Sequence, residues 1–355
     1  MPDPATNGPA RLIDEAISLR TAAVVATPGR RDPAAAAQLR SAIARDTAVA
    51  DAAARAWTGL GRDLPPTRVR VVSRMGWVQA NLIGLRGALQ PLAERLQRTA
   101  TGRWVGSQIL GVQLGALLGL LSTKVLGQYI LPLGGPGQAQ LVVVGPNVLE
   151  LSERYGAVAD DVRRTVLLHE LAHRLQFDGV PWLGDHLRSL LDRYLSATRL
   201  DPSAVLDIIG RLPDVVRALR DDATLTPLLQ LVLTDEQRAV VHEAQALMSL
   251  LEGHGNATMY EAADDLVMDS DRVRQALEQR RRDFGTRLLT AVTGLEMKRR
   301  QYLDGESFVR TVVDRVGTAG LNRAFDGPDA LPSPAEIADP DAWLTRVHGG
   351  ASPRD

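Results

Sequence analysis

Along most of the chain apolar residues recur three and four positions apart, the spacing of one helix face, while the alternation of a half-buried strand is scarce. The pattern predicts a mainly α fold. The first forty residues are rich in Ala and Arg and break at Thr27-Pro28-Gly29, which predicts one or two surface helices with a loose leader. A polar break at Asp63-Leu64-Pro65-Pro66 sets them apart from a further stretch over 69–100. From Trp104 to Thr123 twenty residues pass without a charge, long enough to span a bilayer. Ser107, Gln108, Gln113 and Ser122 interrupt that run, and Gly111, Gly115 and Gly119 repeat every four residues. Such glycines line one helix face and let a second helix approach closely, so a buried central helix is expected, without stable membrane insertion.

Two short apolar runs, 128–133 and 139–144, are the best strand candidates, and Gly134-Gly135-Pro136-Gly137 between them predicts a small β hairpin or edge sheet. Beyond Thr318 the chain is rich in Pro, Asp and Gly, with Pro328, Pro332, Pro334 and Pro340 opposing long helix before Trp343. These breaks divide the chain into N-terminal helices and loop (1–66), a core (67–317), and a Pro-rich C-terminal tail packed on it (318–355).

Composition narrows the function classes. With 41 Lys and Arg against 42 Asp and Glu the net charge is −1, so nothing draws the protein towards nucleic acid or anionic membranes. The absence of cysteine excludes disulfides, thiolate zinc sites, iron–sulfur clusters and thiol nucleophiles, and fits a reducing compartment. Residues 1–7 carry no basic segment leading into an apolar one, so a cytoplasmic location is expected.

The chemistry gathers between Asp160 and Phe177. Asp160 and Asp161 suit a helix N-terminus, the apolar residues keep helical spacing, and Gly179-Val180-Pro181 predicts the stop. Four residues apart on that helix, His169 and His173 project from one face and can share a metal ion. Glu170 sits about 100° round the helix, beside the open coordination position, where a carboxylate can take a proton from water. This is the His-Glu-x-x-His arrangement of zinc hydrolases. The metzincin extension would need Gly at 176 and His at 179; Gln176 and Gly179 stand there instead. The third ligand must come from elsewhere, and Met248-Ser249-Leu250-Leu251-Glu252-Gly253-His254-Gly255-Asn256 offers it. On a continuous helix Glu252 and His254 point about 200° apart, so only one reaches the metal. Glu252 is the favoured ligand, with His254 the alternative ligand or a transition-state hydrogen-bond donor, and Asn256 a group that orients a ligand imidazole. His186 and His242 are expected to be structural or at the surface, His348 to be solvated in the tail, and Phe177 and Trp182 to pack on the active helix.

Several segments in order carry a family likeness: Gly76-Trp77-Val78-Gln79-Ala80-Asn81, Leu126-Gly127-Gln128-Tyr129, the stretch from His169 to Phe177, Met248 to His254, Lys298-Arg299-Arg300-Gln301-Tyr302, and Glu336 to Trp343. On these the sequence, from about Trp77 to Val347, resembles the zincin-like metallopeptidase and hydrolase family found mainly in actinobacteria and their relatives. One branch of that family is named for an association with biosynthesis of a deazaflavin coenzyme. The resemblance implies a mostly helical zincin-like domain with His169, His173 and Glu252 at the metal and Glu170 as base. It supplies no substrate, and the stretch from Ala257 to Asp265 looks longer than the family pattern.

The expectation is a zinc-dependent hydrolase acting on a peptide or amide bond. Its rival is a non-catalytic metalloprotein or partner-binding scaffold that keeps the site in structural or vestigial form. Four protein ligands would mark the rival; three with an open position would mark the enzyme.

Overall fold

A computed structural model describes residues 13–29, 32–96, 100–133, 139–155, 159–197, 234–263, 266–277 and 299–349. It is mainly α. The first two helices begin where aspartate can cap them. Asp14 accepts from the Ile17 N–H at the start of α1 (Glu15–Val25). Asp32 caps Ala34 and Ala35 at the start of α2 (Pro33–Thr58), whose Pro33 occupies a position that needs no donor. Gly59 ends α2 in the left-handed region, with φ 68°.

Strand β1 (Val69–Val72) then leads into α3 (Arg74–Leu96) and α4 (Ala100–Ser122), and β2 (Gly127–Ile130) and β3 (Gln140–Val144) follow. The strand order is β1-β3-β2. β2 runs antiparallel to β3, with Gly127 opposite Val143 and Tyr129 opposite Leu141, so the expected hairpin is present, with β2 ending at Ile130. Its expected turn, 134–137, lies outside the described residues. β1 pairs parallel with β3, Val69 opposite Leu141, after a crossover through α3 and α4. In the sequence β1 merges into the 69–100 stretch, because four residues directly before a helix carry too short a pattern to stand apart.

The glycine stripe of α4 receives α1. A Cβ at Gly111 would lie 2.8 Å from the Asp14 carbonyl oxygen, one at Gly115 2.3 Å from that of Ser18, and one at Gly119 2.9 Å from that of Ala22. The uncharged run is therefore used for close helix packing, and among the described residues no helix is long and apolar enough to cross a membrane.

The remaining helices are α5 (Gly145–Tyr155), α6 (Ala159–Gly179), α7 (Leu183–Ala197), α8 (Asp235–Glu261), α9 (Arg299–Leu321), α10 (Pro334–Ala338) and α11 (Pro340–His348). α8 opens with a capping box in which Thr234 and Gln237 satisfy each other's backbone N–H groups. One hydrophobic cluster joins α2 and α6 to β3; a second joins α8, α9 and the C-terminal segment. That segment folds as two 3-10 turns and two short helices, with Pro334 and Pro340 at helix starts, where proline is tolerated. Trp343 is fully buried against Phe308, and its indole N–H donates to the Ala330 carbonyl. The tail thus contributes a core side chain.

Candidate metal centre

Among the described residues α6 runs through the core, with α2, α5, α8 and the sheet packed against it. Leu167, Leu168, Leu171, Ala172 and Leu175 are all fully buried on it. Its first turn carries Asp160 and Asp161, and the Asp161 carboxylate accepts from the backbone N–H groups of Met268 and Asp269. On this fixed axis His169 and His173 stand one turn apart, their rings edge to face at 4.7 Å and their Nε2 atoms 3.1 Å apart.

α8 packs across α6 and brings Glu252 to the same point. One carboxylate oxygen lies 3.5 Å from His169 Nε2 and the other 3.7 Å from His173 Nε2. One ligand atom from each of the three residues lies within 4.8 Å of the others. A tetrahedral ion with bonds of about 2.0–2.1 Å separates its ligands by about 3.3 Å, so the three donors already stand at the spacing such an ion needs. Two imidazoles and a carboxylate are also a donor set suited to zinc. Among the described residues no fourth side chain joins the cluster.

The approach of α8 depends on two glycines. A Cβ at Gly255 would lie 3.2 Å from His169 Nδ1 and 3.3 Å from His173 Cε1, so the α8 backbone itself lies against both rings. At Gly253 a Cβ would lie 2.3 Å from the Gly305 carbonyl oxygen, and one at Gly305 2.3 Å from that of Ser249. α9 therefore crosses α8 in near backbone contact beside Glu252.

Glu170 is 7% exposed and turns towards the sheet. Burial pushes its carboxyl up to about 7, and Glu252 adds to the rise, while His173 and a hydrogen bond from the Tyr129 N–H oppose it. A carboxyl poised there exchanges protons near neutral pH. β2 makes room for it. Gly127 leaves space where a Cβ would lie 2.6 Å from Glu170 Cγ. Tyr129 holds the strand against α6 through its hydroxyl, which donates to Asp178, while its ring stacks on Phe177 at 6.3 Å. Burial, with Asp178 beside it, raises the Tyr129 phenol far above its ordinary value.

The structure thus brings His169, His173, Glu252 and Glu170 together. His254 stands apart from the ligand cluster, as its angular offset from Glu252 requires. It is fully buried, its ring 5.5 Å from those of Trp57 and Phe325, and its Nδ1 lies 2.9 Å from Gln176 Nε2. Burial, reinforced by His173, pushes its pKa down to about 3, so it is neutral. Asn256 is buried one turn after Glu252. Of the other histidines, His242 is exposed. His186 lies edge-on to Trp182, and His348 lies 5.5 Å from Trp343 instead of standing free in solvent. Asp264 and Asp265, in the stretch longer than the family pattern, lie outside the described residues, as does Lys298.

Gln176 enters the sequence argument only as the residue that excludes a metzincin, although its place three residues after His173, on the same helix face, is a signal that it could contact that ring. The Gln176 side chain is fully buried, and its Oε1 lies 2.9 Å from His173 Nδ1.

Comparison with known proteins agrees with this geometry. Residues 13–344 match the family described as zincin-like metallopeptidase. The chain is also similar to a crystal structure from Chloroflexus aurantiacus, whose protein is described provisionally as a hydrolase with a novel fold. The two share 30% identity with a TM-score of 0.72, over 95% of this chain and 99% of that one. A search of curated proteins finds no match.

Proposed function

Because this chain belongs to the zincin-like metallopeptidase family, we propose that it is a zinc-dependent hydrolase that cleaves a peptide or amide bond. The observation that carries the reading is the meeting of His169, His173 and Glu252 at ligand spacing beside a buried Glu170. His169 and His173 would hold the ion through Nε2 and Glu252 through a carboxylate oxygen. Zinc in such a site supplies Lewis acidity, which polarises a carbonyl and brings the pKa of water towards neutrality. Glu170 takes a proton from water onto its carboxylate and returns it to the leaving amine, the double role that a group poised near 7 can fill. β2, paired only to β3 among the described residues, is a sheet edge beside Glu170 and supports an extended peptide as substrate. A ligand set of three favours this reading over a structural site, which closes with four.

The test is metal content by plasma mass spectrometry on protein purified without chelator, joined to a peptide-library screen. About one zinc per chain is expected, lost in His169→Ala and in Glu252→Ala and retained in Glu170→Gln, with cleavage present in wild type and absent in Glu170→Gln. A folded wild type that takes up no zinc on loading, or full cleavage by Glu170→Gln, overturns the reading.

A further inference from the structure

Gln176 lies on α6, fully buried, and a buried primary amide has to place two donors and an acceptor. The Leu251 carbonyl oxygen on α8 can only accept, so the atom 3.0 Å from it is the amide nitrogen, Nε2. That contact orients the amide without reference to either histidine. Nε2 has one more hydrogen, directed at His254 Nδ1 at 2.9 Å, so this ring nitrogen is the acceptor and the His254 proton sits on Nε2. On the other side Oε1 can only accept, so His173 Nδ1, 2.9 Å away, carries a hydrogen. The lone pair of His173 is then on Nε2, which faces His169 Nε2 at 3.1 Å and Glu252 at 3.7 Å.

We propose that Gln176 and His254 are positioning residues that lock His173 in the tautomer whose Nε2 lone pair faces the ligand cluster. The tautomers follow from the contacts of the amide alone, while their role in metal binding deepens the function proposed above and rests on His173 being a ligand. One amide holds the two histidines in opposite tautomers. The His254 ring is confined between Trp57 and Phe325, and its Nε2 has no hydrogen-bond partner among the described residues. The ring is satisfied only through Nδ1, the atom on which Gln176 depends. Without that acceptor the amide would lose the partner of one hydrogen and with it one restraint on the orientation of Oε1. Because Leu251 and His254 flank Glu252 on α8, the same amide also ties the His173 ligand on α6 to the helix that supplies the carboxylate.

The lock is tested by long-range proton–nitrogen NMR on metal-free protein carrying nitrogen-15 histidine, at about pH 8, where imidazoles are neutral. His173 is expected as the Nδ1–H tautomer and His254 as the Nε2–H tautomer; the reverse, or averaging at either ring, overturns the proposal. In Gln176→Leu the His173 tautomers should average and the zinc dissociation constant rise about 10–100-fold. His254→Leu should do the same. His254→Asn, whose Oδ1 can accept where Nδ1 did, should restore both wild-type values. Unchanged His173 tautomer and zinc affinity in Gln176→Leu would overturn the lock while leaving the metal site intact. A wild type that binds no zinc yet keeps opposite tautomers would remove the metal reading and support the lock. Should Gln176→Leu fail to fold, the wild-type tautomers decide alone.

Discussion

Gly127 stands where any side chain would strike Glu170: a Cβ there would lie 2.6 Å from Cγ and 3.0 Å from Oε1 of the carboxylate. The clash falls on a side chain with free torsions, so Gly127→Ala should displace Glu170 before it displaces β2. Cleavage is expected to fall on the order of 10²-fold, the scale of a misplaced general base, with zinc content and melting temperature close to wild type. Steady-state kinetics beside metal analysis checks this, and a loss of zinc in parallel would mean that the strand had moved instead.

Much of this site was legible beforehand because its parts are local. The four-residue separation of His169 and His173 fixes their common face, and the aspartates before them and Gly179 after them mark the helix ends. Glu252 and His254 lie two residues apart on one continuous helix, so their side chains diverge, and Glu252 is the one that stands beside the two histidines. What was not legible depends on contacts between distant segments. β1 is four residues whose partner strand begins at Gln140, so no neighbouring pattern announces it. Gly127 and Gly255 look like ordinary glycines until a histidine or glutamate from another element is set against them. The burial of Trp343 likewise requires Phe308, from a different helix.

The Gly253 and Gly305 crossing separates stability from site geometry. In Gly305→Ala the new Cβ meets the Ser249 backbone, which no rotamer can relieve, so α9 must shift on α8. Gly115→Ala meets the Ser18 backbone at the same 2.3 Å. Each should lose about 1–3 kcal/mol in urea unfolding. Only Gly305→Ala should also weaken zinc binding, because only that crossing sets the position of Glu252. Zinc titration of both variants against a chromophoric chelator distinguishes them.

Acid should loosen the C-terminal segment. Glu336 is partly buried, which alone would raise its pKa, but hydrogen bonds onto its carboxylate from Arg346 and from the Ser333 N–H outweigh this and hold it below the ordinary carboxylate value. A depressed folded-state pKa adds stability that is present above the unfolded-state value and is lost as pH falls through the folded-state one. The melting temperature of Glu336→Gln should therefore lie below wild type at neutral pH and converge with it below about pH 4. A gap that persists at acid pH would assign the loss to packing.

Trp343 offers a direct test of the tail as core. It fills a fully buried position against Phe308 and donates to Ala330. Trp343→Ala should cost about 3–5 kcal/mol, enough to remove a large part of the stability of a typical domain. Chemical denaturation measures it, and a cost under about 1 kcal/mol would return the segment to the role of a surface wrap.

The order of the elements along the chain also sets the order in which a growing chain can assemble the candidate site. β1, β2 and β3 all precede α6 in the chain, so the strands that frame the Gly127 gap are made before the helix whose Glu170 fills it. The two histidines follow, and for the span of α7 and the residues up to α8 they have no carboxylate partner. Only when Glu252 has emerged, and α9 has come down across Gly253, is the ligand set complete. A nascent chain that has not yet reached α9 cannot hold the complete candidate ligand set, so the chemistry proposed for it waits on the sequence order of its helices.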